Sequence, residues 1–261
     1  MNYRIWGEQF DGPGLLLVHG NTANSHWWDH VAPELATDRR VVAMDLTGFG
    51  DSAHRPAYGF TVWANDIRAV LREALAPGSV IVAHSMGGKP GYQAALTEPS
   101  VGGLVLLDSN IGRMPAADRA RLMADRADSQ ARVFATLDDA VRAYRLFRPV
   151  DSSIDVPSYL VEHIARNSVR QVPGGWGWKF DQAVYRAALE PPTPVRPLSC
   201  PVAVVRAGEH SVLDDESYTD LLRDLGSGTV TATVESSGHH VMLDDPLALI
   251  DLVQKIVRDW I

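Results

Sequence analysis

Six short apolar runs, each bounded by turn residues, constrain the fold of this 261-residue chain more than any other feature. The runs are rich in Val, Leu and Ile and lack polar alternation, which is typical of strands in a sheet covered on both faces. Segments with helical spacing of apolar residues lie between them, such as 61–76 and 245–260. Strands that alternate with helices predict an α/β fold with a mostly parallel, doubly wound sheet. The runs span residues 14–20, 39–45, 79–85, 103–109, 201–207 and 229–235.

Residues 111–197 interrupt this alternation. Helical patterns cover 113–134, 136–147 and 156–169, and the second opens on a capping box formed by Thr136 and Asp139. No strand-like run is evident across the segment. We therefore expect a core domain of residues 1–110 and 198–261, with a helical cap of residues 111–197 inserted after the strand that ends at Asp108.

Charge and cysteine content narrow the possible partners and location. The chain has 24 Lys and Arg against 32 Asp and Glu, a net charge of −8, which argues against nucleic acid or an anionic membrane as a partner. Its single cysteine, Cys200, excludes an intrachain disulfide. The first ten residues lack the apolar region of a signal peptide, and no apolar run approaches the length of a membrane span. These features predict a cytoplasmic protein that acts on a small molecule and leave its oligomeric state open.

The strongest chemical signal is a serine between a strand and a helix. An apolar strand runs into Ala83-His84-Ser85-Met86-Gly87, and a helical pattern follows at once. This arrangement matches the nucleophile elbow G-x-S-x-G, with alanine in place of the first glycine. Small flanking residues are needed because the serine backbone is strained and the strand and helix approach closely. We therefore predict that Ser85 is a nucleophile.

A second turn carries the candidate oxyanion donors. His19 and Gly20 directly follow a strand, which places the backbone amide of Asn21 where it can face the oxygen of a tetrahedral intermediate. Together with the amide of Met86, it would form an oxyanion hole with two donors.

Four motifs in a fixed order give the chain a family resemblance. They are the elbow, the His-Gly pair, the D-x-x-G-x-G-x-S pattern of residues 45–52 and the Gly-His pair at 238–239. The chain resembles the capped serine hydrolases of the α/β-hydrolase fold, a group that includes esterases, C–C-bond hydrolases, hydroxynitrile lyases and haloalkane dehalogenases. The similarity covers nearly the full length and is weakest in residues 111–197. It implies hydrolysis without a cofactor, while the substrate does not follow from the fold.

The resemblance also indicates the catalytic base and acid. In similar proteins the base immediately follows the glycine, which favours His239 over its neighbour His240. Ser211 occupies the position where most relatives carry the acid, and a neutral hydroxyl adds no charge to stabilise an imidazolium. The haloalkane dehalogenase branch draws its acid from the neighbouring strand, and the matching position here is Asp108. Two other carboxylates, Glu209 and Asp214, stay open, the second also as a helix cap.

The predicted reaction is cleavage of a small to medium apolar carboxylic ester, thioester or lactone through an acyl-enzyme on Ser85. Two alternatives remain: a lyase or C–C-bond-cleaving enzyme with the same residues, and a small-molecule binder without catalysis. No H-E-x-x-H or clustered Cys/His pattern occurs, so no metal is expected. Four tryptophans are candidates for the substrate pocket: Trp27, Trp28, Trp176 and Trp178.

Overall fold

The fold is described by a computed structural model covering residues 1–112, 132–146, 154–191 and 193–261, without the side chains of residues 188 and 189. Nine strands occur in these ranges, seven of them in one central sheet and two in a separate hairpin. In chain order they are β1 (Tyr3–Trp6), β2 (Leu15–Val18), β3 (Val41–Met44), β4 (Val80–His84), β5 (Gly103–Leu107), β6 (Val169–Val172), β7 (Gly175–Trp178), β8 (Val202–Ala207) and β9 (Val230–Val234).

The central sheet has the order β1-β3-β2-β4-β5-β8-β9. All neighbours are parallel except β1, which runs antiparallel to β3 at the edge. Each of the six predicted strands is present, and the α/β fold with a mostly parallel sheet is confirmed. Strand β1 was not predicted, since its half-buried residues mix polar and apolar side chains.

Alternating residues of the central strands enter two different apolar clusters. In β2, Leu15 and Leu17 belong to one cluster, and Leu16 and Val18 to the other. Because successive side chains of a strand point to opposite faces, the two clusters are the two covered faces of the sheet. This double burial is why the strands appear in the sequence as continuous apolar runs.

Eight helices occur in the described ranges. Helix α2 buries Trp63, Ile67 and Val70 on one side, which is the spacing of an apolar stripe. Asp245 caps α8 by accepting a hydrogen bond from the amide of Ala248. The helices are α1 (Ala32–Leu35), α2 (Phe60–Ala74), α3 (Gly88–Thr97), α4 (Leu137–Ala143), α5 (Ser158–Asn167), α6 (Asp215–Leu225), α7 (Val241–Asp244) and α8 (Pro246–Val257). Segments of 3-10 helix span Ser25–Trp28, Ser85–Gly87 and Gln182–Leu189. In the part of the chain that the structure describes, no helix is both long enough and apolar enough to cross a membrane.

The segment between β5 and β8 is helical only in part. Helices α4 and α5 confirm two predicted helices, and Thr136 caps α4 by accepting from the amide of Asp139. The helix predicted over residues 113–134 falls mostly on residues 113–131, which lie outside the described residues.

The expectation that this segment holds no strand is wrong for residues 169–178. Strands β6 and β7 form an antiparallel hairpin there, and Phe134 adds a backbone bridge to Trp176. The turn depends on Gly174 and Gly175, whose φ angles of 89° and 148° are ones that L side chains rarely adopt.

Candidate active site

Ser85 lies on a strained turn at the end of β4. Its φ of 53° is in the left-handed region, where a residue with a side chain costs about 1–3 kcal/mol. Ser109 helps to hold the turn, since its hydroxyl donates to the carbonyl oxygen of Ser85 at 2.5 Å. A Cβ on Gly87 would lie 2.4 Å from the carbonyl oxygen of His19, so only glycine fits behind the serine. The sequence pattern therefore reflects close packing around the elbow.

Alanine is tolerated at position 83 because the facing helix supplies a glycine. A Cβ on Gly91 of α3 would lie 3.1 Å from the Cβ of Ala83. The strand and the helix can thus approach closely although the first glycine of the motif is absent.

The structure brings Ser85, His239 and Asp108 into one hydrogen-bonded chain. His239 Nε2 lies 2.9 Å from Ser85 Oγ, and His239 Nδ1 lies 2.6 Å from Asp108 Oδ2. A carboxylate can only accept, so Nδ1 carries the proton and Nε2 presents its lone pair to the serine hydroxyl. This is the tautomer that a general base requires. His240 lies outside this Ser85–His239–Asp108 series, and its ring packs edge-on against Trp27, with the ring centroids 5.1 Å apart.

Asp108 is fully buried, and both of its oxygens are satisfied. Oδ1 accepts from the Ala207 amide at 3.1 Å and from the Ser211 hydroxyl, while Oδ2 accepts from the Val212 amide at 3.1 Å and from His239. Burial alone would raise the pKa of Asp108, but the hydrogen bonds from His239, from the Ser211 hydroxyl and from the Ala207 amide hold it below its ordinary value. The group is therefore a buried carboxylate that stays ionised near neutral pH.

The two other candidate carboxylates are exposed, and among the described residues the carboxylate bonded to His239 is that of Asp108. Asp214 is exposed and caps α6 by accepting from the Ser217 amide at 2.7 Å, which is the structural role considered for it. Glu209 is exposed, and its backbone amide donates to the carbonyl oxygen of Ser237 at 2.9 Å. Ser211, at the position where similar sequences carry an acid, donates to the carboxylate of Asp108.

The His-Gly turn packs directly against the elbow. A Cβ on Gly20 would lie 3.0 Å from Ser85 Cβ, so the backbone leading to Asn21 passes beside the serine. His19 holds this turn: its Nε2 accepts from the Leu46 amide at 3.1 Å, and its Nδ1 donates to the Gly20 carbonyl oxygen at 2.7 Å. Burial lowers the pKa of His19 and keeps its ring neutral, as this pair of bonds requires.

A second buried histidine supports the base, and its role was not predicted. His84 Nε2 donates to the carbonyl oxygen of His239 at 2.8 Å. Burial lowers the pKa of His84 well below its ordinary value. His84 is thus a neutral group that fixes the backbone of His239. Its position beside the nucleophile was the only signal in the sequence.

The four predicted pocket tryptophans have different surroundings. Trp28 is fully buried in a core cluster, so its position does not support a place on the pocket floor. Trp27 is also buried, but its ring contacts His240, whose ring in turn lies 5.2 Å from that of His239. Trp176 and Trp178 are half-buried in β7, and the Trp178 ring packs against Phe134 and Tyr144.

Two groups in the described part of the chain have ligand atoms close enough to share a metal ion. They are His84, His239 and His240, and His26, Asp29 and His163. The first group includes His239, and both ring nitrogens of His239 already have partners, Ser85 and Asp108.

Comparisons with known proteins identify relatives of this chain. Residues 15–252 match the model of the Alpha/beta hydrolase family. The chain is 30% identical to Esterase Rv0045c of Mycobacterium tuberculosis over an alignment of 263 residues. This alignment covers 97% of this chain and 84% of that protein. A solved structure of the M. tuberculosis esterase Rv0045c matches with a TM-score of 0.73 at 28% identity, over 95% of this chain and 86% of that chain.

A thioesterase domain from the curacin biosynthetic pathway matches with a TM-score of 0.77 over 97% of this chain and 94% of that one. At 21% identity it supports the fold alone. The chain belongs to the alpha/beta hydrolase family and is a hydrolase, as its motifs predicted.

Proposed function

We propose that the protein cleaves a small to medium apolar carboxylic ester, thioester or lactone through an acyl-enzyme on Ser85. The observation that carries this proposal is the hydrogen-bonded chain from Ser85 through His239 to the buried Asp108. The relative Esterase Rv0045c supports ester cleavage as the reaction type.

In the first step, His239 Nε2 takes the proton of Ser85 Oγ as the oxygen attacks the substrate carbonyl. The 2.9 Å separation is within the reach of a general base. Asp108 keeps the proton on Nδ1 and stabilises the imidazolium that forms. The imidazolium then protonates the departing alcohol, thiol or ring oxygen, and the acyl group remains on Ser85.

The oxyanion of the tetrahedral intermediate would accept from the amides of Asn21 and Met86. The support is the packing of Gly20 against Ser85 Cβ and the position of Met86 in the 3-10 turn that leads into α3. The positive end of the α3 dipole favours the same charge. In the second step His239 Nε2 takes a proton from a water as the water oxygen attacks the acyl carbon. His239 then gives that proton to Ser85 Oγ as the bond between Oγ and the acyl group breaks, which releases the acid.

We propose that residues 111–197 form a cap over the site. The support is topological: β5 and β8 are adjacent parallel strands, and the segment that joins them leaves the sheet at the carboxyl end of β5, beside Asp108. Catalytic residues and ligands gather at that edge in α/β sheets. Phe134, Tyr144 and Trp178 in this segment form a cluster of aromatic rings, and a cap that lines the site with aromatic rings would favour an apolar acyl group.

The test is intact mass after treatment with a fluorophosphonate, on wild type, Ser85→Ala and a control. Ser100→Ala is a suitable control because Ser100 is a partly buried serine whose hydroxyl donates to Glu98. We expect one adduct on wild type and on Ser100→Ala, and none on Ser85→Ala. A series of p-nitrophenyl esters and lactones then defines the acyl group. Equal labelling of Ser85→Ala and wild type would refute the assignment of the nucleophile.

A further inference from the structure

Two histidines and a carboxylate meet where helix α5 packs against the 3-10 turn Ser25–Trp28. His26 Nδ1 lies 2.8 Å from Asp29 Oδ2, and His163 Nε2 lies 2.8 Å from the same oxygen. One possible ligand atom from each residue lies within 4.8 Å of the others. We propose that these three side chains bind a divalent transition-metal ion such as Zn²⁺, outside the Ser85 site and contrary to the expectation from the sequence that no metal is bound.

The local fold explains why the two residues from the turn face the same side. Side chains three residues apart eclipse one another in a 3-10 helix. His26 lies within the turn, and Asp29 is the residue that ends it, with helical φ and ψ of −57° and −31°. The i, i+3 spacing therefore stacks an imidazole and a carboxylate on one edge.

The third ligand is positioned by contacts that do not depend on a metal. Asn24 caps the turn by accepting from the His26 amide at 3.0 Å. Its side-chain amide also donates to the hydroxyl of Ser168, which directly follows α5, at 3.0 Å. This bond holds α5 against the turn and directs His163 toward Asp29. A site fixed by its own packing loses little freedom when an ion binds.

The chemistry and dimensions suit zinc. Zn²⁺ takes imidazole nitrogen and carboxylate oxygen ligands at about 2.0–2.2 Å in a tetrahedron, which sets its ligand atoms roughly 3.4 Å apart. The two 2.8 Å contacts would lengthen by about 0.6 Å as the ion replaces the protons between them. The side chains of His26 and Asp29 are 14% and 16% exposed and that of His163 is 44% exposed, so an ion can enter from solvent. Water would fill the fourth position.

Neighbouring charges set the strength of the site. The carboxylate of Asp29 is the shared partner of His26, His163 and Arg4. Arg4 Nε lies 2.9 Å from Oδ1, which leaves Oδ2 to the histidines but places a positive charge near the ion. His30 is next in sequence, but its Nε2 donates to the Met242 carbonyl oxygen at 2.6 Å and is not available as a ligand.

The experiment is calorimetric titration of chelator-treated protein with Zn²⁺ at pH 7.5. We expect His26→Gln and His163→Gln each to weaken binding by at least about tenfold, because each removes one of three protein ligands. His54→Gln serves as a control for the loss of a histidine elsewhere and should bind as wild type. Arg4→Gln should bind more tightly, since a repelling charge is removed. In thermal unfolding at one fixed Zn²⁺ concentration, the rise in Tm should be smaller for His163→Gln than for wild type.

The design separates this site from the histidines beside Ser85. His239→Gln should leave the zinc affinity of the proposed site unchanged. Zinc binding that survives in both His26→Gln and His163→Gln, or that is lost only in His239→Gln, would overturn the proposal, as would no binding to wild type. The readout is affinity rather than turnover, so the result does not depend on the proposed reaction.

Discussion

Replacing Asp108 by asparagine tests the proposed catalytic chain most directly. The carboxylate oxygen lies 2.6 Å from the nitrogen that becomes part of an imidazolium during catalysis. With an effective dielectric constant of about 20, two unit charges at this separation interact by roughly 6 kcal/mol, which corresponds to four to five orders of magnitude in rate. The corresponding substitution in serine proteases lowers turnover about 10⁴-fold. We therefore expect kcat of Asp108→Asn on a p-nitrophenyl ester to fall by about 10⁴.

The control for this substitution is Asp214→Asn, which removes the charge of an exposed helix cap, keeps an oxygen that can accept at that position, and should keep turnover within about threefold of wild type. Because Asp108 also accepts from two amides, the Tm of both variants is needed to show that the loss is not unfolding. Since Ser211 contacts Asp108, the double variant Asp108→Asn/Ser211→Asp should restore part of the activity by returning a carboxylate from the adjacent loop. Turnover of Asp108→Asn within tenfold of wild type would refute the role of Asp108.

Three further predictions follow from the same contacts. Ser211→Ala removes a hydrogen bond to a charged oxygen and should lower kcat by roughly 10-fold, while a wild-type value would show that the bond does not matter for turnover. Burial lowers the pKa of His84, His19 and His30, so the unfolded chain binds more protons than the folded chain below about pH 6.5. The free energy of unfolding, measured by urea titration, should therefore fall between about pH 7.5 and 5.5. The fall is up to about 1.4 kcal/mol per pH unit for each histidine. An equal or higher value at pH 5.5 would contradict this sign. Gly87→Ala should lower the free energy of unfolding by about 1–3 kcal/mol, because its Cβ would meet a backbone oxygen; unchanged urea unfolding would contradict the packing at the elbow.

Sequence patterns predicted the central sheet because strands buried on both faces must be apolar along their whole length. They did not predict the β6–β7 hairpin, whose four-residue strands are partly exposed and carry Arg170 and Gln171. Such short, half-polar strands have no apolar run, and their pairing depends on the two glycines of the turn. The Pro173-Gly174-Gly175 sequence was the one local sign of it.

Local sequence also predicted two members of the candidate site. Ser85 follows a strand and precedes a helix, and His239 follows a glycine, so neighbouring residues suffice to propose both. His163 illustrates the opposite case: nothing around it in the sequence indicates that it meets His26 and Asp29, because α5 reaches them only through its packing on the turn.

The identity of the proposed acid depends more on the tertiary structure than that of any other site residue. The sequence placed carboxylates at Asp108, Glu209 and Asp214, and a serine at the position where similar proteins carry the acid. Asp108 and Ser211 are 103 residues apart, yet β5 and β8 are parallel neighbours whose ends meet at one edge of the sheet. A carboxylate from either strand end can therefore reach the same imidazole. Which one does so depends on the register of the two strands and the path of the loop after β8, and only the folded chain brings these together.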